Sequence, residues 1–393
     1  MSNYLCKYSQ ITQELTAISM DYLNREMFKK KNIKKQTISN YRNSLLNYHE
    51  LHGTPINEQL TIYLNEQQTN KIINERVLYH DLIVYREHLI NKNYSNATIK
   101  TFTQCIKSIL SYFYVDVPKL PEVQLKQEYE ATYLDLPTHK ELKEICLKVD
   151  LLTRSIILFM SSSGTALNET TQLKVIDFLK GCNEYLIEPI KEDNLKQSIS
   201  HLKGKHNIVP LIALKRIKTN KQYYTLCSPE ASYLIIENLN SRKNLKLNDK
   251  LFNIGKRGIE ERFQKINKDN GYGKVKYYNK FRSHTLRKFN ASNLTLSSEQ
   301  IDLIQGRGKT KLHETYIKTN WEQLKSDYIE ALPSILIFDN WGYSYNKNRI
   351  DLKEYPLGLA NEINIYYALN QKGVLTNKQF DLIKSRLLKN IIN

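Results

Sequence analysis

Apolar residues in this chain recur at alternating intervals of three and four, and few glycines or prolines interrupt them. Ile99, Phe102, Ile106, Ile109 and Phe113 are spaced 3, 4, 3 and 4 apart, which puts all five on one side of a helix starting near Asn96. Ile38, Tyr41, Leu45 and Tyr48 repeat the pattern, with Thr37 as the predicted N-cap. Residues 75–91 read as a third helix between these two. Only 13 glycines and 9 prolines occur among 393 residues, so helix breakers are scarce throughout. The first 115 residues are therefore expected to be helical.

Prolines then cluster. Pro118, Pro121 and Pro137 bracket a stretch with little apolar period, read as a linker over 117–137. Thr138 and Glu141, three residues apart, form a predicted capping box that opens a second region. There, 152–160 reads as a buried helix ending at Ser161-Ser162-Ser163-Gly164. Strands are predicted at 184–190, 207–217 and 221–227, the last two joined by a turn at Lys218-Thr219-Asn220. Helices follow at 229–239, 259–267, 284–294, 298–305, 311–318 and 321–332. The expected fold is mainly α with a small antiparallel β-sheet (α+β). Its divisions are a helical domain at 1–116, the linker at 117–137, a second domain at 138–340 and a helical tail at 341–393.

Charge points to a class of partner. The chain carries 58 Lys+Arg against 40 Asp+Glu, a formal +18. Residues 136–340 hold most of the excess, 34 basic against 22 acidic, whereas 1–135 hold 16 against 14. An acidic polymer such as nucleic acid suits that balance. AT-rich coding, which favours Lys, Asn, Ile and Tyr, is the competing source of the charge. Within the near-neutral first region, Arg25, Lys29, Lys30, Lys31, Lys34 and Lys35 form one basic cluster. The five cysteines are scattered with no CxxC pair, against a disulfide framework or structural zinc. No metal-ligand spacing is present among the histidines, and no cofactor is expected. No apolar run reaches the roughly 18 residues of a membrane span, and the N-terminal residues lack a basic-then-apolar export pattern, so a cytoplasmic protein is expected.

Three local patterns carry possible chemistry. Arg282-Ser283-His284-Thr285-Leu286-Arg287-Lys288 sets His284 and Arg287 at i, i+3 on one helix face, a pairing that can grip a phosphate and move a proton. Lys218 sits in the predicted hairpin turn. Gly306-Arg307 closes a helix, and Tyr316 follows Arg307 by nine residues. Each pattern alone is common on protein surfaces. In this order and spacing, the combination resembles the tyrosine recombinases, the phage integrase family. The likeness covers roughly 10–335, with 37–115 similar to the core-binding domain and 138–335 to the catalytic domain. The phrase SSSGTALNETTQLKVIDF at 161–178 is similar to the segment that opens that family's active site. The phrase YIKTNWEQLKSDYIEALPSILI at 316–337 resembles the archaeal branch.

The resemblance implies a C-shaped clamp on double-stranded DNA and cutting and rejoining without ATP or metal. Tyr316 would be the nucleophile, Arg287 and Arg307 phosphate ligands, His284 a proton-handling and orienting group, and Lys218 the acid for the leaving oxygen. It also implies a homo-oligomer on DNA, a tetramer, serving integration or excision of a mobile element. DNA contacts are expected from the Arg25–Lys35 cluster, Lys100, Lys107, Lys215, Arg216, Lys221, Arg282 and Lys288. One position departs from the pattern. The family's first arginine, two residues after the glycine matched by Gly164 and three before the glutamate matched by Glu169, is replaced by Ala166. Three accounts compete: another cation such as Arg154, Lys174 or Arg307 stands in, the protein is a degenerate DNA-binding relative, or the alanine is an engineered inactivation. A non-catalytic DNA-binding accessory protein is the alternative reading. A type IB topoisomerase and an RNA-binding protein fit less of the sequence. The tail, with Phe380, Ile383 and Leu387 in a stripe after Thr376, reads as either an oligomerisation hairpin or a plain terminal helix pair.

Overall fold

The computed structural model describes residues 2–338 apart from 70, 123–131, 204, 206, 218, 219, 276, 277 and 308–318, together with residue 366. The chain separates into two compact units, Met1–Tyr129 and Glu130–Asn393. Each has its own apolar core.

Among the described residues the first unit has five α-helices: α1 (Ser2–Leu23), α2 (Lys35–His52), α3 (Ile56–Gln67), α4 (Val77–Asn91) and α5 (Asn96–Tyr112). In α5 the predicted stripe is the buried one: Ile99, Phe102, Ile106 and Ile109 all face the core, and Ser95 caps the helix by accepting from Thr98 N. Tyr41, Leu45 and Tyr48 of α2 are buried likewise. The predicted cap at Thr37 is incorrect. The Lys34 carbonyl already accepts from Thr37 N (2.9 Å) and Ile38 N (3.1 Å), so the helix starts at Lys35 and Thr37 lies within its first turn. The helix predicted from 75 begins at Val77, behind a short 3-10 turn at Ile73–Glu75.

Several polar groups buried in this unit are paired across helices. The Tyr48 and Tyr63 hydroxyls lie 2.6 Å apart, and Tyr63 donates to Asp81 Oδ2 at 2.5 Å. Ser44 Oγ donates to Phe102 O (2.8 Å), and Tyr85 donates to Ser44 O (3.0 Å), tying α2, α4 and α5. Such pairing matters because an unpaired buried polar group costs roughly 1–3 kcal/mol.

The second unit is arranged around one helix. In chain order its helices begin with α6 (His139–Lys148), α7 (Leu151–Ser163), α8 (Leu167–Gln172), α9 (Val175–Gly181) and α10 (Leu195–Lys203). An antiparallel pair, β1 (Leu211–Lys215) and β2 (Gln222–Leu226), follows. Then come α11 (Pro229–Asn240), α12 (Lys256–Asp269), the short pair β3 (Lys274–Val275) and β4 (Tyr278–Asn279), α13 (Ser283–Asn293), α14 (Ser298–Ile304) and α15 (Trp321–Ala331). Thr138 and Glu141 form the predicted capping box on α6. α7 is buried along its whole second half, Ile156 to Ser163, and packs against α11 and α13. A helix buried on every side suits its run of apolar residues ending in three serines. Ser162 and Ser163 satisfy their hydroxyls on the Leu158 and Phe159 carbonyls, each at 2.6 Å.

One predicted element fails here. Residues 184–190 are not a strand: a 3-10 turn at Asn183–Tyr185 leads into irregular chain, with Ile187 80% exposed. Pro189 has no N–H to give a ladder, and no described strand lies beside it. The pair β3–β4 and helix α10 were not foreseen. The tail at 341–393 lies outside the described residues except Tyr366.

Candidate active site

The C-terminal end of α7 organises the site. A helix ends with carbonyls that have no partner within it, and here side chains from three other elements supply them. Asn290 of α13 donates Nδ2 to Ser161 O (3.1 Å) and Ser162 O (2.7 Å). Tyr328 of α15 donates to Ser162 O (3.0 Å), and Thr225 of β2 to Ser163 O (3.1 Å). Gly164 then turns the chain at φ +63°, and its carbonyl receives Nη1 of Arg287 at 2.7 Å. A β-carbon at Gly164 would stand 2.5 Å from Asn290 Oδ1 and 2.6 Å from Gln305 Nε2, so only glycine fits.

Arg287 is therefore fixed at both ends of its guanidinium. Nη2 donates to Gln305 O at 2.8 Å, beyond the end of α14. The Gln305 amide returns a bond to Arg287 O (3.2 Å) and another to Asn290 Oδ1 (2.7 Å), and its Oε1 is buried with no partner among the described residues. The next carbonyl, Gly306 O, accepts from Arg216 Nη1. Gly306 also has φ +63°, and a β-carbon there would meet the Tyr223 ring at 2.8 Å. Arg307 follows, exposed, with Nη1 3.2 Å from Asp302 Oδ1.

Around Arg287 the charges are mostly of one sign. Desolvation lowers its pKa, the neighbouring Tyr223 hydroxyl opposes this, and Arg307 and Arg216 lower it further; Glu169, buried on α8, acts in the opposite sense. His284, one turn before Arg287 and exposed, has its pKa lowered by desolvation and then by Arg282, Lys288, Arg287 and Arg307. It is thus neutral at neutral pH, with one ring nitrogen able to donate and the other to accept. Burial pushes the Tyr223 hydroxyl far up, beyond its usual range. A concentration of guanidinium groups is unfavourable in isolation and favourable around an anion, which makes this a place to hold a phosphate. Among the described residues no group of three or more His, Cys, Asp and Glu is placed to hold a metal ion.

The structure thus brings together His284, Arg287 and Arg307 from the predicted set. Lys218 and Tyr316 lie outside the described residues. Arg282 stands at the start of α13 with its guanidinium 4.0 Å over the Tyr278 ring, and Lys288 lies beside His284. Lys215 and Lys221 are exposed on either side of the connection between β1 and β2. In the first unit Arg25, Lys29, Lys30, Lys31, Lys34, Lys35 and Lys100 are exposed, with Lys30 paired to Glu26 and Lys31 over the Tyr112 ring. Lys107 is different: it is half-buried and donates to Pro118 O at 3.1 Å. Asn290, Gln305 and Tyr223 escaped the sequence reading, because nothing local distinguishes an Asn one turn past Arg287, or a Gln before Gly306, from a surface residue.

No family model and no curated protein matches this sequence. Among solved structures, similar folds are those of recombinases and integrases. The XerA recombinase is 17% identical at TM-score 0.31, covering 81% of this chain and 98% of its own. An integrase of the Tn1549 transposon in complex with transposon right end DNA is 13% identical at 0.40, covering 82% and 99%. A lambda integrase dimer bound to a COC′ core site is 9% identical at 0.46, covering 76% of each chain. Likeness at this level does not fix a chemistry, so the functional reading rests on the residues themselves.

Proposed function

We propose that this protein is a site-specific tyrosine recombinase that cuts and rejoins double-stranded DNA for integration or excision of a mobile element. The observation that carries the reading is the clamping of Arg287 between Gly164 O and Gln305 O, with His284 one turn away and Arg307 alongside. Three sequence segments, the first more than a hundred residues before the other two, converge on that guanidinium, and each matches one part of the recombinase pattern.

The chemistry follows from the residue types. The Tyr316 oxygen attacks the scissile phosphorus, forming a 3′-phosphotyrosyl bond while the bond to the 5′-oxygen breaks. The proton lost by tyrosine is balanced by one given to the leaving oxygen, for which Lys218 is the donor. Bond energy is kept in the covalent link, so rejoining needs no nucleotide or metal. The five-coordinate transition state carries extra negative charge, and prepositioned guanidinium groups of Arg287 and Arg307 lower its energy. His284, neutral, can hydrogen-bond a non-bridging oxygen or relay a proton. Arg25, Lys29–Lys35 and the exposed lysines of α5 and the β1–β2 pair would meet the DNA backbone, with four protomers pairing two sites.

Ala166 supports a second reading, a DNA-binding relative that has lost cleavage. One experiment separates them. Nicked duplex carrying candidate sites is incubated with the full chain, and a covalent protein–DNA adduct is sought on a denaturing gel. Recombinase chemistry gives an adduct that Tyr316→Phe abolishes; salt-sensitive binding without any adduct sinks it and leaves the second reading.

A further inference from the structure

Ala166 lies two residues beyond Gly164, whose carbonyl holds Arg287, and it takes the place of the arginine the recombinase pattern calls for. Of the cations able to replace it, Arg154 is near the opposite end of α7, about 15 Å away along a helix rising 1.5 Å per residue, and donates to Val149 O. Lys174 is exposed and bonded to Asn248 Oδ1 at 3.2 Å. Arg307 has its own place in the pattern and faces Asp302. Arg216, just past β1, differs from all three. Its Nη1 donates to Gly306 O while Arg287 Nη2 donates to Gln305 O, so the two guanidiniums are seated on successive carbonyls of one turn. Both lie against Tyr223, whose ring packs on Gly306. Arg216 is only half-buried, and Gly306 O occupies one of its five N–H donors.

We propose that Arg216 supplies the phosphate-binding guanidinium that Ala166 lacks, gripping a non-bridging oxygen of the scissile phosphate beside Arg287. The inference rests on the recombinase reading and gives it the missing cation. It adds no step to the transfer: Arg216 neither gains nor loses a proton, and it contributes charge and hydrogen bonds to the five-coordinate phosphorus. The mutual repulsion of Arg216, Arg287 and Arg307, offset in part by the buried carboxylate of Glu169, is relieved when a phosphate enters.

The test is the rate of covalent complex formation by the full chain on a nicked duplex. Arg216→Ala should slow it roughly 10²-fold, with the thermal midpoint close to that of the unsubstituted protein. Adding Ala166→Arg to Arg216→Ala should restore at least about tenfold, because the charge returns from the other side of Arg287. A scissile methylphosphonate, which removes the charge of one non-bridging oxygen, should shrink the Arg216→Ala defect. An Arg216 that only braces Gly306 gives a defect that neither Ala166→Arg nor the methylphosphonate reduces, and that result overturns the proposal, as does cleavage by Arg216→Ala at the unsubstituted rate. No adduct from the unsubstituted chain removes the recombinase reading and this proposal together, an outcome distinct from either.

Discussion

His49 in the first unit and His284 in the second are both titratable groups with pKa values below normal, and their surroundings could hardly differ more. His49 is 2% exposed and closed on both sides: Nδ1 is 3.0 Å from Thr16 Oγ1, and Nε2 is 3.0 Å from Ser19 Oγ. Thr16 spends its own hydrogen on Thr12 O, so it accepts from Nδ1–H; Ser19, which accepts from Ile56 N, donates to Nε2. One neutral tautomer satisfies every atom. His284 is exposed, and the charged groups that lower its pKa, Arg282, Lys288, Arg287 and Arg307, are all cationic. A histidine whose partners are complete holds the fold together. A histidine among unbalanced cations waits for an anion.

The sharpest way to break this contrast is to remove the cation at the centre of the second environment. Arg287→Ala should lower covalent complex formation about 10³-fold, near 4 kcal/mol of barrier. It also strips partners from Gly164 O and Gln305 O, so the thermal midpoint should fall as well. Arg287→Lys, which keeps charge but cannot reach both carbonyls, should recover little of the rate. A kinetic scan on nicked duplex checks this, and equal rates for Arg287→Ala and the unsubstituted chain would show that the cluster is structural.

Gly164→Ala probes the scaffold beneath that cluster. Left-handed backbone costs an alanine about 1 kcal/mol, and forcing a methyl to within 2.6 Å of two locked amides adds about 2 more. The total of about 3 kcal/mol should appear as a thermal midpoint lower by about 6–12 °C in a unit of this size.

How far the sequence reached follows the same division. The stripe on α5, the capping box at Thr138 and the serine-rich end of α7 were legible because each is set by neighbours within four residues. The pairing of His284 with Arg287 was legible because the two lie one turn apart on a single helix, whereas Tyr316 and Lys218 lie outside the described residues. What was illegible depends on distant contacts. Thr37 looks like a cap until Lys34 O is seen to take its N–H. The 184–190 segment looks like a strand until its lack of a described partner is seen. Asn290 and Gln305 acquire a role only because α7 ends between them, more than a hundred residues away in sequence.

The first environment is broken by acid. Burial holds the His49 pKa at about 4, against an ordinary 6.5. A pKa lowered in the fold means that the unfolded chain binds the extra proton first. The contribution is complete above pH 6.5 and is lost as pH falls toward 4. Between pH 7 and pH 5 it amounts to about 2 kcal/mol, and His52, lowered in the same direction by burial against the pull of Asp81, adds to it. Protonation would leave both His49 nitrogens as donors and the Ser19 hydroxyl hydrogen without its acceptor. Urea unfolding at the two pH values measures the loss. His49→Gln, whose amide can donate on one side and accept on the other, should be less stable at pH 7 yet show a flatter pH dependence. An equally steep one would assign the effect to other groups.

The smallest effect separates local grammar from tertiary use. Gly53 ends α2 as Gly164 ends α7: both have φ +63°, and both take the backbone bond from four residues back, Gly53 N to His49 O and Gly164 N to Met160 O. By the sequence rules of helix termini they are the same residue. A β-carbon on Gly53, however, meets nothing within 4 Å. Gly53→Ala should therefore cost only the left-handed strain, about 1 kcal/mol, and Gly53→Asn less, since asparagine tolerates that region. Measured beside Gly164→Ala by urea unfolding, the pair isolates what crowding adds when backbone conformation is held constant. If the two alanines cost the same, the packing of Asn290 and Gln305 around Gly164 is soft, and the seat of Arg287 is less rigid than its four flanking hydrogen bonds imply.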